Sequence, residues 1–259
     1  MRRKISYLSV VLMVAILAGY VFVYQMNPFS DNLNKLILAS ADSFAALLAA
    51  IAVTAVLFCY RKEDKPYLVW LHFALGLWAW VLAETVWLFI DLTSSNVPSV
   101  GAPDVFWIIG YVLLTLALRS QYQLLYKTKH SWWKVVAIWA GIILAVFVTL
   151  LLVGSQFTLG NFVNYFYAII DFVLCIVAIR LFLTFGGGKL SRPWIGLFVM
   201  GISDAVWAWL NATGQYQASS DAGTWLSVFT DTTYVAAYLI LAIGFLMQYL
   251  LLRLGPEES

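Results

Sequence analysis

Five carboxylic acids stand where the surrounding chain is almost wholly apolar: Asp42 in SADSFAALLAAIAV, Glu84 in ETVWLFID, Asp171 in AIIDFVLCIVAIRL, Asp204 in DAVWAWLN and Asp231 in DTTYVAAYLILAIGFLMQY. An ionisable group at a bilayer centre costs about 2.5 to 3.5 kcal/mol on insertion scales, so acids placed this way turn inward, toward water or one another. There they take up protons, bind a cation, or serve as acceptors that glue neighbouring helices together. Aromatic residues accompany them at helical spacing. Glu84, Trp87 and Asp91 fall at i, i+3 and i+7, and so do Asp204, Trp207 and Asn211. The same spacing recurs in Asp104, Trp107 and Tyr111 and in Asp231, Tyr234 and Tyr238. With Asp42 and Asp171, these twelve residues form the candidate ligand-binding set, an acidic, aromatic-walled cavity.

The elements that must position them are membrane helices. Hydrophobic residues make up 63% of the 259 and charged residues 11%, with a mean hydropathy of +0.88. A soluble domain carries roughly 45–50% apolar and about 25% charged residues. Apolar windows of the ~20 residues needed to cross a bilayer core fall at 5 to 25, 34 to 60, 67 to 91, 103 to 126, 132 to 153, 159 to 185, 193 to 212 and 224 to 253. The reading is an all-α integral membrane protein of eight transmembrane helices. The first window, behind Arg2, Arg3 and Lys4, reads as a retained signal anchor, because no small-residue cleavage site follows it. None of the six prolines interrupts a window.

Lys and Arg mark every second connection: Arg61, Lys62 and Lys65, then Lys127, Lys129 and Lys134, then Lys189 and Arg192. Every basic residue except Lys35 falls on that one side, which the positive-inside rule makes cytoplasmic. The expected place is the cytoplasmic membrane, with both termini inside the cell and the acids toward the extracytoplasmic face. The cavity would open there and be closed below by apolar packing.

The chain also resembles itself. ETVWLFID (84 to 91) matches DAVWAWLN (204 to 211) at an offset of 120, and DVFWIIGYVLLTLALRSQY (104 to 122) matches DTTYVAAYLILAIGFLMQY (231 to 249) at an offset of 127. Asp42 and Asp171 align more weakly, at 129. These matches predict two tandem four-helix repeats of the same orientation, residues 1–128 and 129–259, within one integrated membrane domain. Their relation would be a pseudo-two-fold axis along the membrane normal.

Several chemistries lack their residues. Two histidines, His72 and His130, do not make a zinc or haem site, and the last helix has no lysine for a retinal Schiff base. GGGK at 186 to 189 lacks phosphate-loop spacing. Two cysteines frame no disulfide scaffold, and a net charge of +2 without a basic run offers nothing to nucleic acid. No hydrolytic constellation is present, so the chain is read as non-enzymatic and without a cofactor, the acids leaving room only for an inorganic cation.

SSNVPSVGAPDVFWIIGY (94 to 111), preceded by ETVW, resembles the multi-helix N-terminal membrane sensor regions of bacterial diguanylate cyclases and related signalling proteins. In that family an acid and Trp in one helix are followed by a Pro-Ser loop and then Asp, an aromatic residue and Gly-Tyr. Family members continue into a cytoplasmic catalytic domain, whereas this sequence closes on LGPEES. The resemblance implies a sensor whose output passes to a cytoplasmic or membrane signalling partner. Its ligand would be a small cationic or polar molecule held by Trp87, Trp207, Glu84 and Asp204. A proton- or cation-coupled transporter and a structural subunit of a membrane assembly are the alternatives.

Overall fold

The structure, a computed structural model, describes residues 2–94, 100–125, 159–184, 192–212, 215–216 and 225–255. They form seven helices: α1 (Arg2–Met26), α2 (Asp31–Leu57), α3 (Tyr67–Thr93), α4 (Ala102–Leu125), α5 (Leu159–Thr184), α6 (Arg192–Ala212) and α7 (Trp225–Leu254). Each coincides with one of the apolar windows to within three residues. Six of them are long and apolar enough to cross a membrane, so the protein is all-helical and largely membrane-spanning.

The expectation of eight helices in two four-helix repeats is corrected here. The described residues hold seven helices, and the window at 132 to 153, which should have supplied the other, lies outside them. Nor do the helices sort into two separate bundles: α1 lies more against α7 than against α2, and α2 packs closely on both α3 and α7. Hydropathy measures apolar length, whereas packing depends on which faces are small enough to let backbones approach.

Helix α2 shows that rule. Ala45, Ala46, Ala49, Ala50 and Val53 form a fully buried stripe along it, and this stripe lets α2 lie between α3 and α7. Glycines do the same elsewhere. A Cβ on Gly76 would stand 3.0 Å from Leu114 Cγ, and one on Gly196 would stand 2.6 Å from Leu241 Cγ. The offsets of 120 and 127 carry the first of these contacts onto the second.

The helices have two unlike ends. At the end where α1 finishes, called the Asp91 end, lie Lys35, Asp91 and Asp104. At the other, the Trp70 end, Trp70, Phe73, Phe245 and Trp194 interlock, with ring centroids 5.3 to 6.2 Å apart. Between them, at 1.5 Å per residue, the five acids fall roughly 9 to 18 Å from the Asp91 ends of their helices.

Candidate functional site

Glu84 is the best-satisfied of the acids. It is only 3% exposed, and its Oε1 accepts from the Trp107 indole N–H at 3.2 Å, the Tyr234 hydroxyl at 2.8 Å and the Tyr238 hydroxyl at 3.0 Å. One carboxylate on α3 therefore ties α4 and α7 together. Trp80 backs the arrangement: its ring packs on Tyr111 and Tyr238, and its indole N–H donates to the Trp107 carbonyl at 3.2 Å. Gly110 gives that ring its place, since any Cβ there would collide with it.

Asp204, on α6, takes a hydroxyl from the opposite side. Tyr111 on α4 donates to its Oδ2 at 3.3 Å. Adding 127 to Tyr111 gives Tyr238, and subtracting 120 from Asp204 gives Glu84. The two tyrosines thus reach across to each other's acid, from α4 to α6 and from α7 to α3. Asp204 also has an acidic neighbour, Asp171 on α5, which approaches within hydrogen-bonding reach of it. Asp171 is 2% exposed, and its Oδ2 meets no hydrogen-bond donor. Gly201 brings α5 and α6 close at this level: the Cβ it lacks would lie 3.2 Å from the Asp171 carbonyl oxygen and would strike the Cys175 sulfur.

A third acidic node lies nearer the Asp91 end. Asp231 on α7 accepts from Tyr24 on α1 at 2.9 Å and from Tyr216 at 3.0 Å. Burial, with the Asp231 carboxylate beside it, pushes the Tyr216 hydroxyl far above the usual tyrosine range, so it remains a donor. Asp42 on α2 faces Asp231, Glu84 and Asp204, and its Oδ1 also meets no donor.

The remaining residues of the set have other places. Asp104 accepts from the Gly101 backbone N–H at 2.7 Å, as an acid in the first turn of a helix does, and from the Tyr167 hydroxyl at 2.6 Å. Asp91 pairs with Lys35 at 3.5 Å. Trp87, 37% exposed, leans on Trp107 with centroids 5.8 Å apart. Trp207 meets Tyr216 instead, at 6.2 Å, and the Asn211 side chain lies outside the described residues. A groove of about 410 Å³ runs between α1 and α7, lined by Leu17, Val21, Trp225, Phe229, Thr232 and Ala236. None of the carboxylates borders it.

The set therefore converges at its centre (Asp42, Glu84, Trp107, Tyr111, Asp171, Asp204, Asp231, Tyr234, Tyr238) and disperses at its edges. Sequence reasoning missed Tyr24, Tyr167 and Tyr216, together with Tyr20, whose ring packs edge-on against that of Tyr24 at 6.0 Å. Tyr20 and Tyr24 carried a readable signal, for they share one face of an otherwise apolar helix four residues apart. Tyr167 and Tyr216 gave none, because each is matched to its acid only by the fold. No protein-family model, curated protein or solved structure matches the chain.

Proposed function

We propose that this protein is a membrane sensor module, in which a small cationic species binds among the buried acids and alters how the helix pairs α3–α4 and α6–α7 pack. The observation that carries this reading is the reciprocal pair of hydrogen bonds, Tyr238 to Glu84 and Tyr111 to Asp204. A cation arriving at either acid competes for the electrons that the tyrosine hydroxyl uses, so binding and inter-pair packing are linked. With both termini in the cytoplasm, the Asp91 end faces outward, the ligand enters there, and the change is passed to a partner at the cytoplasmic end. The resemblance to bacterial signalling sensors agrees with this direction of flow. The interlocked Trp70, Phe73, Phe245 and Trp194 close the other end, which favours sensing over transport.

The test is tryptophan fluorescence of the protein in liposomes, since Trp80 and Trp107 both touch the site. The outer medium is stepped through pH and through a panel of inorganic and organic cations. The expected result is a saturable change that Glu84→Gln reduces at least several-fold while helix content is retained. Sustained gradient-driven current across a solid-supported membrane would replace this reading with transport, and no response to any step would leave a structural role.

A further inference from the structure

The two central acids differ in what surrounds them, and that difference points to a ligand. Glu84 has three donors on one oxygen. Asp171 and Asp204 have, between them, the Tyr111 hydroxyl and each other. The titratable groups near this pair among the described residues can be named element by element: Tyr167 and Cys175 from α5, Tyr111 from α4, Glu84 from α3, Asp42 from α2 and Tyr234 and Tyr238 from α7. All of them are acids or weak acids. No lysine, arginine or histidine is among them.

Two carboxyl groups in hydrogen-bonding reach form that bond only if one carries a proton, because neither oxygen set is otherwise a donor. A buried carboxylate oxygen without donor or cation is costly, and Asp171 Oδ2 is such an oxygen. A metal ion is the other occupant of acid clusters, yet among the described residues no three His, Cys, Asp or Glu side chains converge closely enough to hold one. Two carboxyls suffice for a proton.

We infer that Asp171 and Asp204 form a proton-binding pair, one proton shared between the two carboxyl groups and exchanged with the outer medium. Packing covers the pair on the side of the Asp91 end: the Tyr167 ring lies 5.7 Å from that of Tyr111, and its hydroxyl donates to Asp104 at 2.6 Å. On loading, an O–H bond forms on one carboxylate oxygen with a proton delivered from hydronium, leaving water. On release the proton returns to water and the pair holds two negative charges, which pushes α5 from α6 across the Gly201 contact. This names the ligand for the sensor reading above and rests on it for any consequence in signalling. The pair itself is tested apart from that reading.

The test is infrared difference spectroscopy of the full chain in lipid vesicles between acidic and alkaline outer media, in H₂O and in D₂O. The parent is expected to show the carbonyl band of a protonated carboxyl that moves on deuteration and disappears in the alkaline medium. Asp171→Asn and Asp204→Asn are each expected to abolish it. Tyr111→Phe, which preserves ring volume and removes only the hydroxyl, guards against misfolded Asn variants and is expected to shift the pH at which the band disappears. Absence of the band in the parent overturns the proposal. So does its survival in either Asn variant, or an unmoved titration in Tyr111→Phe. The expected band without any accompanying fluorescence change supports the pair and removes the sensor reading.

Discussion

Glu84 and Asp204 occupy matching positions in ETVWLFID and DAVWAWLN, each with a tryptophan three residues on, yet one is saturated with donors and the other is not. The longer Glu84 side chain reaches Trp107 on α4 and both Tyr234 and Tyr238 on α7. The shorter Asp204 has Tyr111 at 3.3 Å and faces a second acid. A carboxylate with three donors is pinned and holds helices together, whereas one short of donors and beside a like charge gains most from a change of state. Two places at matching positions in the sequence are thus unlike: Glu84 is a clamp, and the Asp171–Asp204 pair is the part we propose to respond.

The largest effect should follow from breaking the clamp. Glu84→Ala strands three donors at once. Interhelical hydrogen bonds in membranes average ~0.6 kcal/mol and reach ~1.7 kcal/mol, and unpaired buried donors add to the loss. A destabilisation of roughly 2–4 kcal/mol is expected in thermal unfolding in detergent. Glu84→Gln keeps an acceptor oxygen and should cost well under half of that. Asp204→Ala strands one hydroxyl and separates two acids, so it should be nearly neutral; equal losses for Glu84→Ala and Asp204→Ala would abolish the distinction.

The glycine contacts compare the same two helix pairs through backbone approach. An added Cβ at Gly76 meets Leu114 Cγ at 3.0 Å and the Gly110 carbonyl oxygen at 3.2 Å. At Gly196 it meets Leu241 Cγ at 2.6 Å and the Leu241 backbone nitrogen at 3.0 Å. Replacing a helix-interior glycine by alanine gains about 1 kcal/mol in propensity, and overpacking costs about 1–3 kcal/mol. Gly76→Ala should therefore change stability little, and Gly196→Ala should lower it by roughly 1–2 kcal/mol in the same unfolding assay. A larger loss at Gly76 would mean that α3–α4 is the tighter pair.

Helix positions were legible in the sequence because each described helix is an apolar run ended by proline or polar residues. Pro66 precedes α3, and Pro103 and Pro193 fall in the first turns of α4 and α6. The central acids were legible as well, since a carboxylate such as Asp171 between Ile170 and Phe172 has no other explanation than an inward face. Grouping was not legible. Nothing in α1 announces that Tyr24 will reach Asp231, 207 residues away, and an i, i+3, i+7 stripe does not show how far along it the bundle stays closed. That is why Trp87 ends at 37% exposure and Asp91 in an ion pair while Glu84, on the same stripe, is buried.

Removing single hydroxyls sharpens the comparison further. Tyr238→Phe leaves Glu84 with Trp107 and Tyr234, whereas Tyr111→Phe takes from Asp204 the one hydroxyl that bonds it among the described residues. Each should cost about 0.5–1 kcal/mol of stability. Their effects on the pH dependence of unfolding should differ: Tyr111→Phe should alter its shape, and Tyr238→Phe should lower the curve nearly uniformly. The Tyr111–Asp204 and Tyr238–Glu84 double-mutant cycles isolate the two bonds.

The smallest effect belongs to the pair that most looks like a conventional salt bridge. Lys35 and Asp91 lie 3.5 Å apart with side chains 35% and 28% exposed, and the Lys35 ammonium also donates to the Asp91 carbonyl at 2.6 Å. Partly exposed pairs are worth about 0–1 kcal/mol after solvent screening and the ordering of a long side chain. Asp91→Asn leaves the carbonyl contact intact, so its cost should fall below about 0.5 kcal/mol and shrink further in high salt. Fluorescence response to outer cations should also be unchanged, because Asp91 already has its cation and stands a full two turns beyond Glu84. A cation response weakened by Asp91→Asn as much as by Glu84→Gln would extend the binding site to the mouth of the bundle and make the whole stripe, not its buried end, the unit that recognises the ligand.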